Sequence, residues 1–142
     1  MSKKKINREI TVKSTTENLS VIRDFINDQA ARAGFDADDI HKIILAVDEA
    51  CTNVIKHAYK FSPEGEITIS TKIEKNKFVI SIFDRGLHFD PNKIPEPDII
   101  EYHKSKKIGG LGMYLMKKLM DEVRYNISTD SNQVILIKNL KV

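Results

Sequence analysis

Leu45-Ala46-Val47-Asp48-Glu49-Ala50-Cys51-Thr52-Asn53-Val54-Ile55-Lys56-His57-Ala58-Tyr59 is the stretch that decides how this chain is read. At a 3.6-residue period it is a helix with two distinct sides. Ile43, Val47, Ala50, Val54 and Ala58 form an apolar stripe, with Ile44, Cys51 and Ile55 beside it. On the flank, Glu49, Asn53 and His57 recur every fourth residue, which stacks them on one ridge. A solvated helix face favours Lys, Glu and Arg in no particular order. An acid, an amide and an imidazole beside the core stripe instead suggest a helix that faces a ligand.

Working outward from this helix, Asp36 is placed to cap its start, and Phe61-Ser62-Pro63 to stop it. Upstream, residues 9–13 alternate through Ile10 and Val12 as a half-buried strand does. Ser14-Thr15-Thr16-Glu17 has the form of a capping box, the Ser14 hydroxyl serving the Glu17 N–H and the Glu17 carboxylate reaching back. The helix it predicts carries Leu19, Ile22, Ile26, Ala30 and Ala33 on one face and ends at Gly34. Downstream, residues 65–74 read as a strand with Ile67, Ile69 and Ile73 facing one way. Lys75-Asn76 reads as a turn, and residues 78–83 as a more apolar strand, central in the sheet. From 85 to 110 periodicity vanishes, and Pro91, Pro95 and Pro97 gather there; so long an irregular segment inside a compact domain is usually functional. Residues 111–121 are helical again, with Leu111, Leu115 and Leu119 in steps of four and Met116 and Met120 alongside. Residues 123–128 and 134–140 predict a closing hairpin around Asp130-Ser131-Asn132.

Strands joined by short turns imply antiparallel pairs, and the apolar helix stripes need a surface to cover. The expectation is an α+β chain, a two-layer α/β sandwich whose helices cover one face of a mixed, mostly antiparallel sheet. One domain over residues 1–142 accounts for the chain, with 1–5 as a loose tail. A hydrophobic share of 41% supplies a core, yet no run approaches the roughly 20 apolar residues of a membrane span. Met1-Ser2-Lys3-Lys4-Lys5 lacks the apolar run of a secretory signal. The single Cys51 falls on the apolar face, reads as a core residue, and fits a reducing cytoplasm. A net charge of +3, with short lysine runs and no interleaved aromatics, predicts solvated surface rather than direct nucleic-acid binding.

Two further stretches bear on chemistry. Phe83-Asp84-Arg85-Gly86 ends the apolar strand, and Gly109-Gly110-Leu111-Gly112-Met113 leads into the last helix. Glycines before a helix free backbone N–H groups to wrap anionic oxygens, and the helix N-terminus adds partial positive charge. No Gly-Lys-Ser/Thr follows, so this is not a P-loop. Singly, Asp-x-Gly is an ordinary turn and Gly-Gly-x-Gly a hinge. In this order, after the helix of Glu49, the three stretches resemble the N-box and two glycine boxes of the GHKL ATPases, the superfamily of gyrase, histidine kinases and certain protein serine kinases. The form Glu-Ala-x-Thr-Asn-x-x-x-His-Ala, from Glu49 to Ala58, is similar to that of the small anti-sigma-factor serine kinases of bacteria.

The resemblance implies the Bergerat fold, with ATP and Mg2+ held between the helix layer and a lid over residues 85–110. It implies that the Asp84 carboxylate accepts a hydrogen bond from the adenine amino group, with Gly86 letting the backbone approach the base. Gly109, Gly110, Leu111, Gly112 and Met113 would meet the phosphates, and any of Lys104, Lys106 and Lys107 could close on them. Magnesium on a triphosphate needs few protein ligands, so one amide oxygen, from Asn53, suffices; the competing reading is a polar residue bonded at the helix flank. Glu49, one turn earlier, is placed to accept a proton from an acceptor hydroxyl, against the common fate of Glu on a solvated helix. His57 either reaches the phosphates or fills the core edge. In this chain His88 replaces a second glycine of the wider superfamily, and Thr129 precedes a turn and receives no role. The function implied is an anti-sigma factor that binds a sigma factor and phosphorylates a serine of an antagonist protein, as a cytoplasmic homodimer. Two alternatives stand beside it: a nucleotide-gated binding module without kinase activity, and a detached histidine-kinase-type ATPase domain.

Overall fold

The computed structural model describes residues 8–89 and 112–141, with side chains described throughout except at 112–115. The chain runs as strand β1 (Arg8–Lys13), a 3-10 turn (Thr16–Asn18), helices α1 (Leu19–Arg32) and α2 (Ala37–Asn53), and a π turn (Val54–Ala58). Strands β2 (Glu66–Glu74) and β3 (Lys77–Asp84), helix α3 (Gly112–Leu119), and strands β4 (Glu122–Ile127) and β5 (Asn132–Asn139) follow. The sheet order is β1-β2-β3-β5-β4. Among the described strands every pairing is antiparallel, in keeping with the mostly antiparallel sheet expected.

The helices cover one face of this sheet. Ile22 and Ile26 of α1, Ile43, Val47 and Ala50 of α2, and Met116 of α3 meet Ile67, Ile69, Ile80, Ile82 and Leu136 in one core. Cys51 is fully buried there. α2 packs against both α1 and α3. Truncating Ile43, which has no exposed surface, to Ala would cost about 2–5 kcal/mol. β3 is central, as its composition predicts. Phe78, Ile80, Ile82 and finally Asp84 are buried at alternate positions, so period-2 alternation carries a carboxylate onto the core-facing side at the strand end. On β2 the same alternation buries Ile67, Ile69 and Thr71 but leaves Ile73 39% exposed, beyond the helix layer. Thr71 is held by a buried hydrogen bond to Gln29 Oε1 (2.9 Å), which fastens α1 to the sheet.

Several local signals act as read and others do not. Gly34 ends α1 with φ at +97°, and Asp36 Oδ1 accepts the Asp39 N–H at 2.8 Å as the N-cap of α2. Lys75 and Asn76, with φ at 50° and 62°, make the two-residue hairpin turn. The capping box at Ser14 does not form. The Ser14 hydroxyl is buried and donates instead to Ser62 O (2.6 Å), while its N–H bonds Gly65 O, because the end of β1 packs on the 62–65 loop. α1 therefore starts later, after Asn18. The last hairpin turns over residues 128–131, where Ser128 N–H bonds Ser131 O, so Asn132 lies in β5 rather than in the turn. Leu111 and Leu115 lie outside the described side chains; Met116 and Met120 are buried.

Candidate functional site

The main departure from the expected helix is at its end. α2 does not run regularly to Phe61. After Asn53 it widens into the π turn, with Tyr59 N–H bonding Val54 O and Phe61 N–H bonding Ile55 O. Such wide turns often mark functional sites. The turn buries Val54, Ile55 and Ala58 together, and Lys60 and Phe61 close it with φ at 50° and 64°, a conformation unfavourable for side-chain-bearing residues. Each residue of a π turn winds less than in an α-helix. Glu49 and Asn53 lie in the regular helix, whereas His57 lies in the widened turn.

This turn is docked onto the end of β3. Leu87 N–H bonds Ala58 O at 2.7 Å, and a Cβ on Gly86 would lie 2.6 Å from that same carbonyl oxygen. The Tyr59 hydroxyl donates to Glu66 O (2.6 Å) and accepts from Arg85 N–H (2.9 Å). Its ring lies where a Cβ on Gly65 would intrude, at 2.5 Å. Gly86 thus serves a close contact between helix and sheet, beside the approach to the base that the sequence suggests. The first glycine box is held against the end of the N-box by backbone atoms on both sides.

Asp84 sits at this junction with 1% of its surface exposed. Oδ1 accepts the Gly86 N–H (2.9 Å) and the Asn132 amide (2.9 Å), whereas Oδ2 is buried without a partner among the described residues. Burial raises the pKa of the carboxyl, and the bonds from Asn132 and Gly86 oppose that shift. An unsatisfied buried oxygen costs about 1–3 kcal/mol, and a base amino group is the kind of donor that would satisfy it. Phe89, Tyr125, Asn126, Ile127, Asn132, Gln133 and Val134 line the narrow cleft beside it. The orphan oxygen fits the amino-group donor of the adenine expected of the resemblance.

On α2, Glu49 and Asn53 are half-exposed. The Glu49 carboxyl is pushed up by burial first and by neighbouring Asp48 second, with Lys56 acting the other way. Asp48 belongs to a different face, where Arg23 of α1 pairs with both its oxygens at 2.9 and 3.2 Å. His57 stacks at a tilt on Phe89, ring centres 5.5 Å apart, and burial, then Lys56 and Lys60, lower its pKa. A neutral imidazole against an aromatic ring favours its packing role. Burial raises the pKa of the Cys51 thiol far out of the reactive range, as a core cysteine requires. No group of three or more His, Cys, Asp or Glu among the described residues forms a metal cluster. A magnesium ion carried on phosphates does not require one.

Gly109, Gly110 and Leu111, and most of the expected lid with Lys104, Lys106 and Lys107, lie outside the described residues. Gly112 and Met113 open α3 as the sequence predicts. Two residues without an expected role join the site. Asn132 is the cross-strand partner of Asp84, and His88 bonds Asn132 Oδ1 (2.7 Å) and Thr129 O (3.2 Å) through its two ring nitrogens. Asn132 looked like a turn residue after Asp130-Ser131. Only the β3–β5 register, which no local pattern carries, brings it to Asp84.

Comparisons with known proteins agree with this arrangement. A family model for the histidine kinase-like ATPase domain matches residues 12–138. The chain is 36% identical to the serine-protein kinase RsbW of Bacillus subtilis (strain 168) over 121 residues, covering 82% of this chain and 75% of that one. With the RsbW of Listeria monocytogenes serovar 1/2a, identity is 38% over 76% of this chain and 71% of the relative. With that of Bacillus thuringiensis (strain Al Hakam) it is 34% over 91% and 81%. Among solved structures, a crystal structure of the RsbU and RsbW domains of a Mycobacterium tuberculosis protein has the same fold, with a TM-score of 0.68 at 20% identity. It covers 94% of this chain, which spans 32% of that longer one. With its buried strand-end aspartate docked on an Asn- and Glu-bearing helix, the chain belongs to the histidine kinase-like ATPase domain family and, within it, to the RsbW group of serine-protein kinases.

Proposed function

We propose that the chain is an ATP- and Mg2+-dependent protein serine kinase acting as an anti-sigma factor. It holds a sigma factor inactive and phosphorylates a serine on a small antagonist protein, which stops the antagonist from relieving that inhibition. It works in the cytoplasm as a homodimer. The observation that carries the reading is the lone buried Oδ2 of Asp84 at the end of β3, against the turn that ends the Glu49–Asn53 helix.

In this reading Asp84 binds the adenine amino group, and residues 85–110 form a lid over the nucleotide. Gly109, Gly110, Leu111, Gly112 and Met113 contact the phosphates. Asn53 supplies one oxygen to a magnesium ion, which when bound neutralises developing phosphate charge. Glu49 takes the proton of the acceptor serine hydroxyl as its oxygen forms the new P–O bond and ADP leaves. Its pKa, raised by burial, makes it a better base than an exposed glutamate. His57 positions the start of the lid through Phe89 rather than contacting phosphate.

The test is single-turnover transfer of labelled phosphate from ATP to a candidate antagonist, with nucleotide binding measured in parallel. Asn53→Ala should lose magnesium-dependent binding and transfer together. Glu49→Gln should keep ATP affinity while transfer slows by roughly 10²–10⁴-fold, towards the lower end for a loose transition state. Wild-type transfer rates in Glu49→Gln would end its assignment as the base.

A further inference from the structure

Asp84 does not stand alone in its cleft. The Asn132 amide nitrogen faces three acceptors: Asp84 Oδ1 at 2.9 Å, Leu87 O at 3.1 Å and Gly86 O at 3.4 Å. With its NH₂ group committed to these acceptors, the amide oxygen must point the other way, where His88 Nδ1 lies 2.7 Å off. That nitrogen therefore carries a hydrogen. His88 Nε2 in turn faces Thr129 O, so both ring nitrogens meet acceptors. The chain Thr129–His88–Asn132–Asp84 leaves one possible orientation for the amide and commits Oδ1, so that among the described residues Oδ2 is the carboxylate oxygen left free to accept.

We infer that Asn132 and His88 are positioning residues for base selection: they hold the Asp84 carboxylate so that its free oxygen accepts from a 6-amino purine and repels a 6-oxo purine. This rests on the nucleotide reading above and deepens it. The chemistry is one of matched edges. A 6-amino base presents a donor to Oδ2, whereas a 6-oxo base presents a second acceptor, leaving two desolvated oxygens face to face. The Asn132 bond is also what chiefly opposes the burial-driven rise in the Asp84 pKa. Without it the carboxyl protonates more readily and rotates, and a neutral carboxyl offers an O–H that a 6-oxo base can accept. Losing Asn132 should therefore both weaken the correct base and admit the wrong one. A residue of purely structural importance would weaken both alike.

The measurement is titration calorimetry of the full chain with ADP and with inosine diphosphate, which differ at that edge. Wild type should prefer ADP. Asn132→Ala should lose about tenfold in ADP affinity, the size expected of one hydrogen bond to a charged group, and narrow the ADP preference by a similar factor. His88→Ala, at an exposed position, should narrow it in the same direction by a smaller factor, and it carries the test if Asn132→Ala does not fold. Wild type that binds ADP, with both variants keeping the full preference, overturns the positioning role alone. Wild type that binds both diphosphates equally overturns selection by this edge. Wild type that binds neither overturns the nucleotide reading itself.

Discussion

Adding one methyl group at Gly86 probes the docking of helix on sheet directly. An alanine Cβ there would sit 2.6 Å from Ala58 O, 2.7 Å from Ala58 C and 2.7 Å from Ala58 Cβ. Carbon contacts normally lie at about 3.5–4.0 Å, so the two backbones must part by roughly 1 Å. The Leu87 N–H to Ala58 O bond, now 2.7 Å, would then stretch beyond hydrogen-bond length. Overpacking of this kind costs about 1–3 kcal/mol and the bond another 0.5–1.5, giving about 2–4 kcal/mol for Gly86→Ala. For a chain of this size that lowers Tm by about 5–15 °C. Gly34→Ala is the control. Nothing lies within 4 Å of its Cβ, and only the positive φ resists, at about 1–2 kcal/mol. The assay is thermal unfolding by circular dichroism, with ADP binding measured in parallel. Gly86→Ala melting with wild type would refute the docking argument. If it also lost ADP binding, Gly86 would return to the base-approach role that the sequence suggests.

Asp84→Asn should weaken ADP binding by about 1.5–3 kcal/mol, because the amide can no longer offer a charged acceptor; titration calorimetry reads this directly. Tyr59→Phe removes a hydroxyl that ties Glu66 O to Arg85 N, and should lower stability by about 1 kcal/mol in urea melts, with ADP affinity falling beside it. His88 has a raised pKa, first from its bond to Asn132 and then from Thr129. Its contribution is therefore fully present below the unfolded histidine value and lost as pH rises through the folded one. Wild-type stability measured against pH should show that loss, and His88→Ala should not.

Periodicity carried most of the architecture. The stripe Ile43, Val47, Ala50, Val54, Ala58 is buried as read, and the alternation of β3 put Asp84 on the core side of a central strand. What stayed hidden depends on partners distant in the chain. Ser14 has the chemistry of a cap, yet a carbonyl at residue 62 takes its hydroxyl. His57 has the spacing of the Glu49–Asn53 ridge, but it sits in the widened turn and packs on Phe89, and no propensity marks where a helix will widen. Asn132 shows the same limit within the site. Composition made it a turn residue, and the register Asp84↔Asn132 made it the neighbour of the buried carboxylate. Gly86 was legible as necessary, and the Ala58 carbonyl adds a packing reason that the sequence did not show.

The π turn makes the number of residues in Val54–Ala58 matter more than some of their identities. Removing one residue would let an ordinary i→i+4 ladder close through the same stretch, so the helix itself would lose little. Everything after the deletion would arrive at a different angle. The Ala58 carbonyl would swing from Leu87 and the Tyr59 hydroxyl from Arg85. Lys56 can be replaced without disturbing either contact, yet it cannot be omitted. A deletion scan should register this as lost nucleotide binding in a chain that keeps its far-ultraviolet helical signal; retained binding would show that the junction adjusts its register.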